Sequence, residues 1–118
     1  KGYSSLAAEY SSDALLVTDA DDRVLWLNAG FEKMTGFDID DLLGRRPDEV
    51  LKGPETNASE FAKIHEALHL RRPIDIELVY YRKDGTPFWM ESRIVPIFDT
   101  QGRHSNYMSS SRDISARK

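Results

Sequence analysis

Hydrophobic positions follow two different periods along the chain, and the points where one gives way to the other predict its elements. The apolar run Ala14 to Thr18 reads as a buried strand. After the turn Asp19-Ala20-Asp21-Asp22, Val24 to Leu27 returns as a second strand and completes a hairpin. Asn28 is placed to cap a short helix whose apolar face is Phe31 and Met34, three apart, and Thr35-Gly36 ends it. Another brief helix runs from Ile39 to Leu43 and stops at Gly44. Pro47 to Leu51 adds one more turn with proline near its start. Asn57, with Glu60 three residues on, resembles a capping box that opens a longer helix ending near Arg72, ahead of Pro73. Phe61, Ile64 and Leu68 form its buried stripe, and His65 is expected to face inward with them.

Beyond Pro73 the period becomes two. Ile74, Ile76, Leu78 and Tyr80 alternate with Asp75, Glu77, Val79 and Tyr81, as in a strand with one buried face. Lys83-Asp84-Gly85 predicts a hairpin turn, Pro87 to Phe98 the returning strand, Asp99 to Gly102 a second turn and His104 to Ile114 the last strand. Leu6 to Tyr10 predicts a helical lead whose Leu6, Ala7 and Tyr10 would cover the outer sheet or pair with a second copy. Two strands, several short helices and a three-stranded meander make the fold class α+β.

Composition trims the functional classes. The chain has 118 residues, 40% hydrophobic and 31% charged, which fits one globular domain. A net charge of −4 gives no basic footprint for nucleic acid or anionic lipid. No apolar run approaches the ~20 residues that span a bilayer, and no signal-peptide core follows Lys1, so a cytoplasmic location is expected. The absence of cysteine removes disulfides, thiolate metal sites and cysteine-based covalent chemistry.

One literal motif calls for a decision. His65-Glu66-Ala67-Leu68-His69 matches H-E-x-x-H, whose two histidines share a helix face in zinc proteases. Pro73 closes the helix about one turn later, no third ligand follows, and His104 lies on the last strand, so neither a metal site nor an enzyme is expected. Trp26 and Trp89, both in strands, read as packing or interface residues before ligand-stacking ones.

Four stretches in order, "VTDADDRVLWLNAGFEKMTGF", "GRRPDEVLKGPETN", "YYRKDGTPFWMESRIVPIFDTQGR" and "SRDISARK", together resemble a PAS domain, the sensory module of bacterial signalling proteins. The resemblance covers essentially the whole chain. It implies a five-stranded antiparallel sheet with helices over one face, enclosing a small pocket. It divides the chain into a lead at 1–12, the sensory domain at 13–114 and the start of a linker at 115–118. The function implied is to bind a small ligand or cofactor, to form a homodimer, or both. Either would regulate a C-terminal output domain such as a histidine kinase, diguanylate cyclase or chemoreceptor. The alternative is a cofactor-free dimerisation or protein-interaction module.

"GPETN" and "KDGTPFW" are similar to the flavin-binding, light-sensing LOV subgroup, yet its functional positions are changed. Arg46, Pro47 and Asp48 occupy the region of the photoactive cysteine. The flavin-edge asparagines fall at Tyr80 and Met90, the last-strand glutamine at Ser111 and one phosphate-binding arginine at His65. Methionine lacks the paired donor and acceptor of an amide. FMN held in the LOV manner is therefore not expected, while FAD held by other contacts and haem ligated by His65 stay open, as does a structural role for that histidine. Alternation and the resemblance together assign pocket candidates: Ile76, Leu78 and Tyr80 on one strand, Met90, Ser92 and Ile94 on the next, Ser109 and Ser111 on the last. Phe31, Met34, Ile64, His65 and Leu68 would face them from the helices. The same residues would equally make a closed core. Asp113-Ile114-Ser115 resembles the family's Asp-Ile-Thr exit motif, which implies that Asp113 anchors the strand end through an ion pair and that Ile114 marks the signal exit.

Overall fold

A computed structural model describes residues 13–118; the helical lead expected over Leu6 to Tyr10 lies outside the described residues. In strand β1 (Ala14–Asp19) every second residue is buried, namely Ala14, Leu16 and Thr18, as a sheet with one covered face requires. Strand β2 (Val24–Leu27) pairs with it across a turn in which the Asp19 carboxylate accepts from the amides of Asp21 and Arg23, at 2.9 and 3.0 Å. Strands β3 (Ile74–Tyr81), β4 (Pro87–Phe98) and β5 (His104–Asp113) form the meander. The sheet order is β2-β1-β5-β4-β3, antiparallel throughout. The last strand thus sits at the centre, bonded to the first, and fuses hairpin and meander into one layer.

The helices lie between β2 and β3 in sequence: α1 (Ala29–Thr35), α2 (Ile39–Leu42), α3 (Pro47–Leu51) and α4 (Ala58–His69). Asn28 starts α1 and does more than cap. Its Oδ1 accepts from the amides of Phe31 (2.9 Å) and Leu15 (2.8 Å), and its Nδ2 donates to the Asp13 carbonyl (3.0 Å). One side chain therefore fixes the helix start against the first strand. Gly36 ends α1 at φ 79°, a conformation open to glycine without steric cost.

Several caps and boundaries differ from expectation. The reciprocal capping box belongs to α2, where Asp38 and Asp41 each accept the other's amide at 3.0 Å. At α4, Asn57 Oδ1 accepts from the Glu60 amide, but the Glu60 carboxylate meets Lys63 at 3.2 Å instead of closing the box. That helix stops at His69, short of the predicted Arg72. Arg71 adopts φ 53°, its amide returns to the Leu68 carbonyl, and the Arg72 amide returns to that of Ala67. This doubly bonded left-handed cap turns the chain before Pro73 is reached. The last strand ends at Asp113 rather than Ile114, because the Trp89 amide donates to the Ser115 hydroxyl, the Ile114 carbonyl accepts from Arg117 and a 3-10 turn, Ser115–Arg117, follows.

The core fills the space between helices and inner sheet face, with Phe31, Leu42, Leu78 and Val24 wholly enclosed.

Candidate functional site

The inner face of the sheet and helices α1, α3 and α4 leave a cavity of about 60 Å³. Of the residues expected to line a pocket, the helices contribute Phe31, Ile64, His65 and Leu68, and the strands contribute Ile76, Tyr80, Met90, Ser92, Ile94, Ser109 and Ser111. Two expected residues do not reach it. Leu78 is on the inward face but wholly enclosed by neighbours, and Met34 packs against the core from the last turn of α1.

His65 needs a correction. It was expected to face inward, but its side chain is 56% exposed and its Nε2 meets Asp48 Oδ2 at 2.9 Å, at the mouth of the cavity. Successive helical residues are 100° apart, so with Ile64 centred on the core its neighbour falls at the edge of the buried stripe, where the Asp48 carboxylate holds it. His69, on the same helix, is exposed. Among the described residues no group of three His, Cys, Asp or Glu is placed to hold a metal ion.

Sequence reasoning missed the polar end of the cavity. Thr18, Asp22 and Asp48 line it together with Pro47, Leu51 and Phe61. Asp22 reaches inward because it turns the hairpin at φ 62°, a left-handed conformation that Asp and Asn tolerate. Burial, and then the charge of Asp48, push its carboxyl up to about 6. The Thr18 hydroxyl favours the ionised form of Asp22 but makes no well-directed hydrogen bond; it and Asp48 Oδ1 are buried without a partner among the protein's own groups. The available signal was Thr18 itself, a polar residue on the inward side of the alternation Ala14, Leu16, Thr18. At the other end, the Ser111 hydroxyl donates to Ser92 at 2.8 Å, so these two satisfy each other. Burial, with Asp48 and Asp22 nearby, raises the Tyr80 phenol and keeps it protonated.

Asp22 carries a pH prediction. Its folded value lies above the ordinary 3.8, so the native state binds more protons than the unfolded chain between about pH 4 and 6, and this group's contribution to stability falls as pH rises through that window. Asp22→Asn should match the wild type near pH 3.5 and exceed it at pH 7 by up to about 3 kcal/mol. Urea unfolding of both proteins at the two pH values measures the difference. A constant gap across pH would contradict a raised carboxyl.

The C-terminal end of the sheet is tied separately. Asp113 pairs with Arg82, whose Nε donates to the Met34 carbonyl at 3.2 Å and whose guanidinium lies 4.5 Å from the Phe88 ring centre. Asp113 also accepts from the Ser115 amide at 2.9 Å. Burial pulls this carboxyl upward, but hydrogen bonds from Ser115 and the pairing with Arg82 outweigh it and hold Asp113 below the ordinary value.

Flavin and haem can be judged against this geometry. The cavity is far below the ~300 Å³ at which cofactor and drug-sized pockets begin. Tyr80 fills one position where an amide would read a flavin edge, and Ser111 spends its hydroxyl on Ser92. Two carboxylates, Asp22 and Asp48, line the polar end and would repel a phosphate, and His65 is turned to Asp48 rather than into the interior. The residues present do not fit either group.

A five-stranded antiparallel sheet carrying four short helices on one face, a small cavity between them and an ion-paired aspartate at the strand exit together define a sensory module of the PAS architecture. The PAS domain family matches residues 12–116, and the chain belongs to that family. A blue-light-activated histidine kinase of Brucella ovis is 31% identical over 111 residues, covering 92% of this chain and 22% of the relative. Protein TWIN LOV 1 of Arabidopsis thaliana is 34% identical over 96 residues, covering 80% of this chain and 24% of the relative. The structure of an RNA-binding light-oxygen-voltage receptor superposes with a TM-score of 0.90 at 27% identity, covering 98% of this chain and 33% of that one. The chain thus spans about a fifth to a quarter of the length of the curated relatives. It is LOV-like in fold without a cysteine. No described helix is long and apolar enough to cross a membrane.

Proposed function

We propose that this domain is the input module of a larger signalling protein, in which a small ligand in the cavity changes the hold on the C-terminal exit and so regulates an attached output domain such as a histidine kinase. The observation that carries this reading is Arg82. It bonds at once to a carbonyl in the last turn of α1, whose Phe31 lines the cavity, and to Asp113, where β5 leaves the sheet. A ligand that moved Phe31 or β5 would alter that junction. Two arrangements of the junction, unequally favoured by an occupied cavity, are sufficient for a population switch.

Native and denaturing mass spectra of the purified protein test the ligand step. A small non-covalent mass lost on denaturation is expected. A bare mass with a concentration-dependent dimer would overturn it in favour of a cofactor-free interaction module. That second reading has its own support in an apolar row across the outer sheet face, Trp26, Val17, Met108 and Val95, set side by side by strand register.

The exit step has a separate check. Asp113→Asn should shift ligand affinity by about five-fold or more, because coupling between cavity and exit is reciprocal. It should also accelerate hydrogen exchange at the Ile114 and Arg117 amides, which bond to Trp89 and Ile114. Unchanged exchange at both would remove Asp113 from the signal path.

A further inference from the structure

We propose that the cavity is a site for a compact organic cation, a primary ammonium or amidinium on a short apolar body, received by Thr18, Asp22 and Asp48. This rests on the ligand-binding reading above and adds the chemistry of the ligand.

Three oxygen-bearing side chains from three separate segments meet at one end of an otherwise apolar space: Thr18 on β1, Asp22 in the β1–β2 turn and Asp48 on α3. Thr18 is only 3% exposed, and its Oγ1 makes no hydrogen bond within the protein. Asp48 Oδ1 is buried in the same condition, while Oδ2 is committed to His65. Buried polar atoms are ordinarily paired, because losing water without a replacement is costly. Valine, with the shape of threonine, would fill position 18 without that cost. What this end lacks is enough donors, since ionised carboxylates only accept and the Thr18 hydroxyl brings a single O–H.

The surrounding charges do not supply them. His65 from α4 is already paired with Asp48, and the Arg46 guanidinium, from the loop before α3, donates to the Asp21 carbonyl at 3.3 Å. Arg71, after α4, reaches toward the His69 carbonyl. Asp22 and Asp48 therefore oppose each other across the polar end, and an entering cation would relieve that repulsion. A primary ammonium presents three N–H donors, one for each side chain. An alcohol brings one hydroxyl donor, and a carboxylate adds like charge. Among the described residues no third carboxylate or histidine joins Asp22 and Asp48 in a metal-binding position, which favours a compact organic cation over a metal ion.

Size sets the body. The cavity is about 60 Å³, against the ~150 Å³ that accepts benzene in an engineered core, which leaves room for a body of about two or three heavy atoms beside the head group. A shallow groove of about 310 Å³ outside shares Asp22, Asp48 and His65 with the cavity and gives the entry path.

Propylammonium chloride, 1-propanol and sodium propionate are probes of equal length and differ only in the head group. Each is titrated into the protein at pH 7 while amide NMR shifts are followed, and calorimetry at pH 6 in two buffers counts protons. The expected result is at least ten-fold tighter binding of propylammonium than of 1-propanol, with shifts at Thr18, Asp22 and Asp48. Proton release at pH 6 should accompany it as Asp22 ionises. Asp22→Asn keeps a residue suited to φ 62° and should reduce the preference to about two-fold or less. Thr18→Val should weaken the amine selectively. If 1-propanol binds as well as the amine, or Asp22→Asn leaves the preference intact, the cavity is a ligand site without cation selectivity and the proposal falls alone. If none of the three probes shifts any cavity amide at saturating millimolar concentration, the proposal falls together with the ligand-binding reading.

Discussion

Asn28→Ala is expected to destabilise the domain by about 3–5 kcal/mol, a large share of the 5–15 kcal/mol that holds a typical domain folded. The side chain is 1% exposed. Its removal strands two backbone donors, the amides of Leu15 and Phe31, and deletes the bond to the Asp13 carbonyl. An unpaired buried donor costs about 1–3 kcal/mol, and loss of a helix cap is worth about 1 kcal/mol on its own. Asn28→Asp keeps the acceptor but not the donor, so it should fall between alanine and wild type. Urea unfolding followed by circular dichroism measures both. A loss under 1 kcal/mol for alanine, with unchanged denaturant dependence, would mean that the helix start and β1 do not depend on this residue.

Phe31→Ala is the other large effect, expected at about 3–5 kcal/mol from lost burial and the void left behind. Phe31 is 2% exposed and lines the cavity, so truncation joins the ring's space to the existing one. The merged void, apolar away from Asp22 and Asp48, approaches the size that takes up benzene. Saturating benzene should therefore raise the melting temperature of the variant and leave the wild type nearly unchanged. A variant as stable as wild type, or one indifferent to benzene, would show that the helices collapse onto the sheet and that the cavity has no fixed wall.

These predictions draw on different parts of the chain in unequal measure. Element types were legible because local signals agree with one another. Asn28 precedes an apolar pair at helical spacing, Gly36 sits where a left-handed residue is needed, and Ile76, Leu78 and Tyr80 keep a strict two-residue period that the burial of β3 follows. Ends were less legible. The stop at His69 depends on Arg71 accepting a left-handed conformation, which no propensity for arginine announces. The capping box went to Asp38 and Asp41, where the Asp41 carboxylate closes it while also pairing with Lys83, whereas the Glu60 carboxylate turns to Lys63.

The candidate site divides in the same way. Its apolar wall could be read from alternation, since side-chain direction along a strand is a local property. Its polar end could not. Thr18, Asp22 and Asp48 are separated along the chain by a turn, a strand and two helices, and only folding brings them into one cavity. His65 shows the reverse error. Its place in a helical stripe was readable, but the carboxylate that draws it to the mouth comes from α3, seventeen residues away.

By itself the sequence determined the α+β class, the order of the elements, the inward face of the meander strands and the lack of thiol chemistry, because each is set by covalent composition or by periods a few residues long. Only the tertiary structure decided that β5 lies between β1 and β4, that Arg82 joins α1 to Asp113, and that two carboxylates and an unpaired hydroxyl share one end of a small cavity. Those are contacts between distant segments. Their energies depend on the distance and burial reached after packing, quantities that no window of neighbouring residues contains.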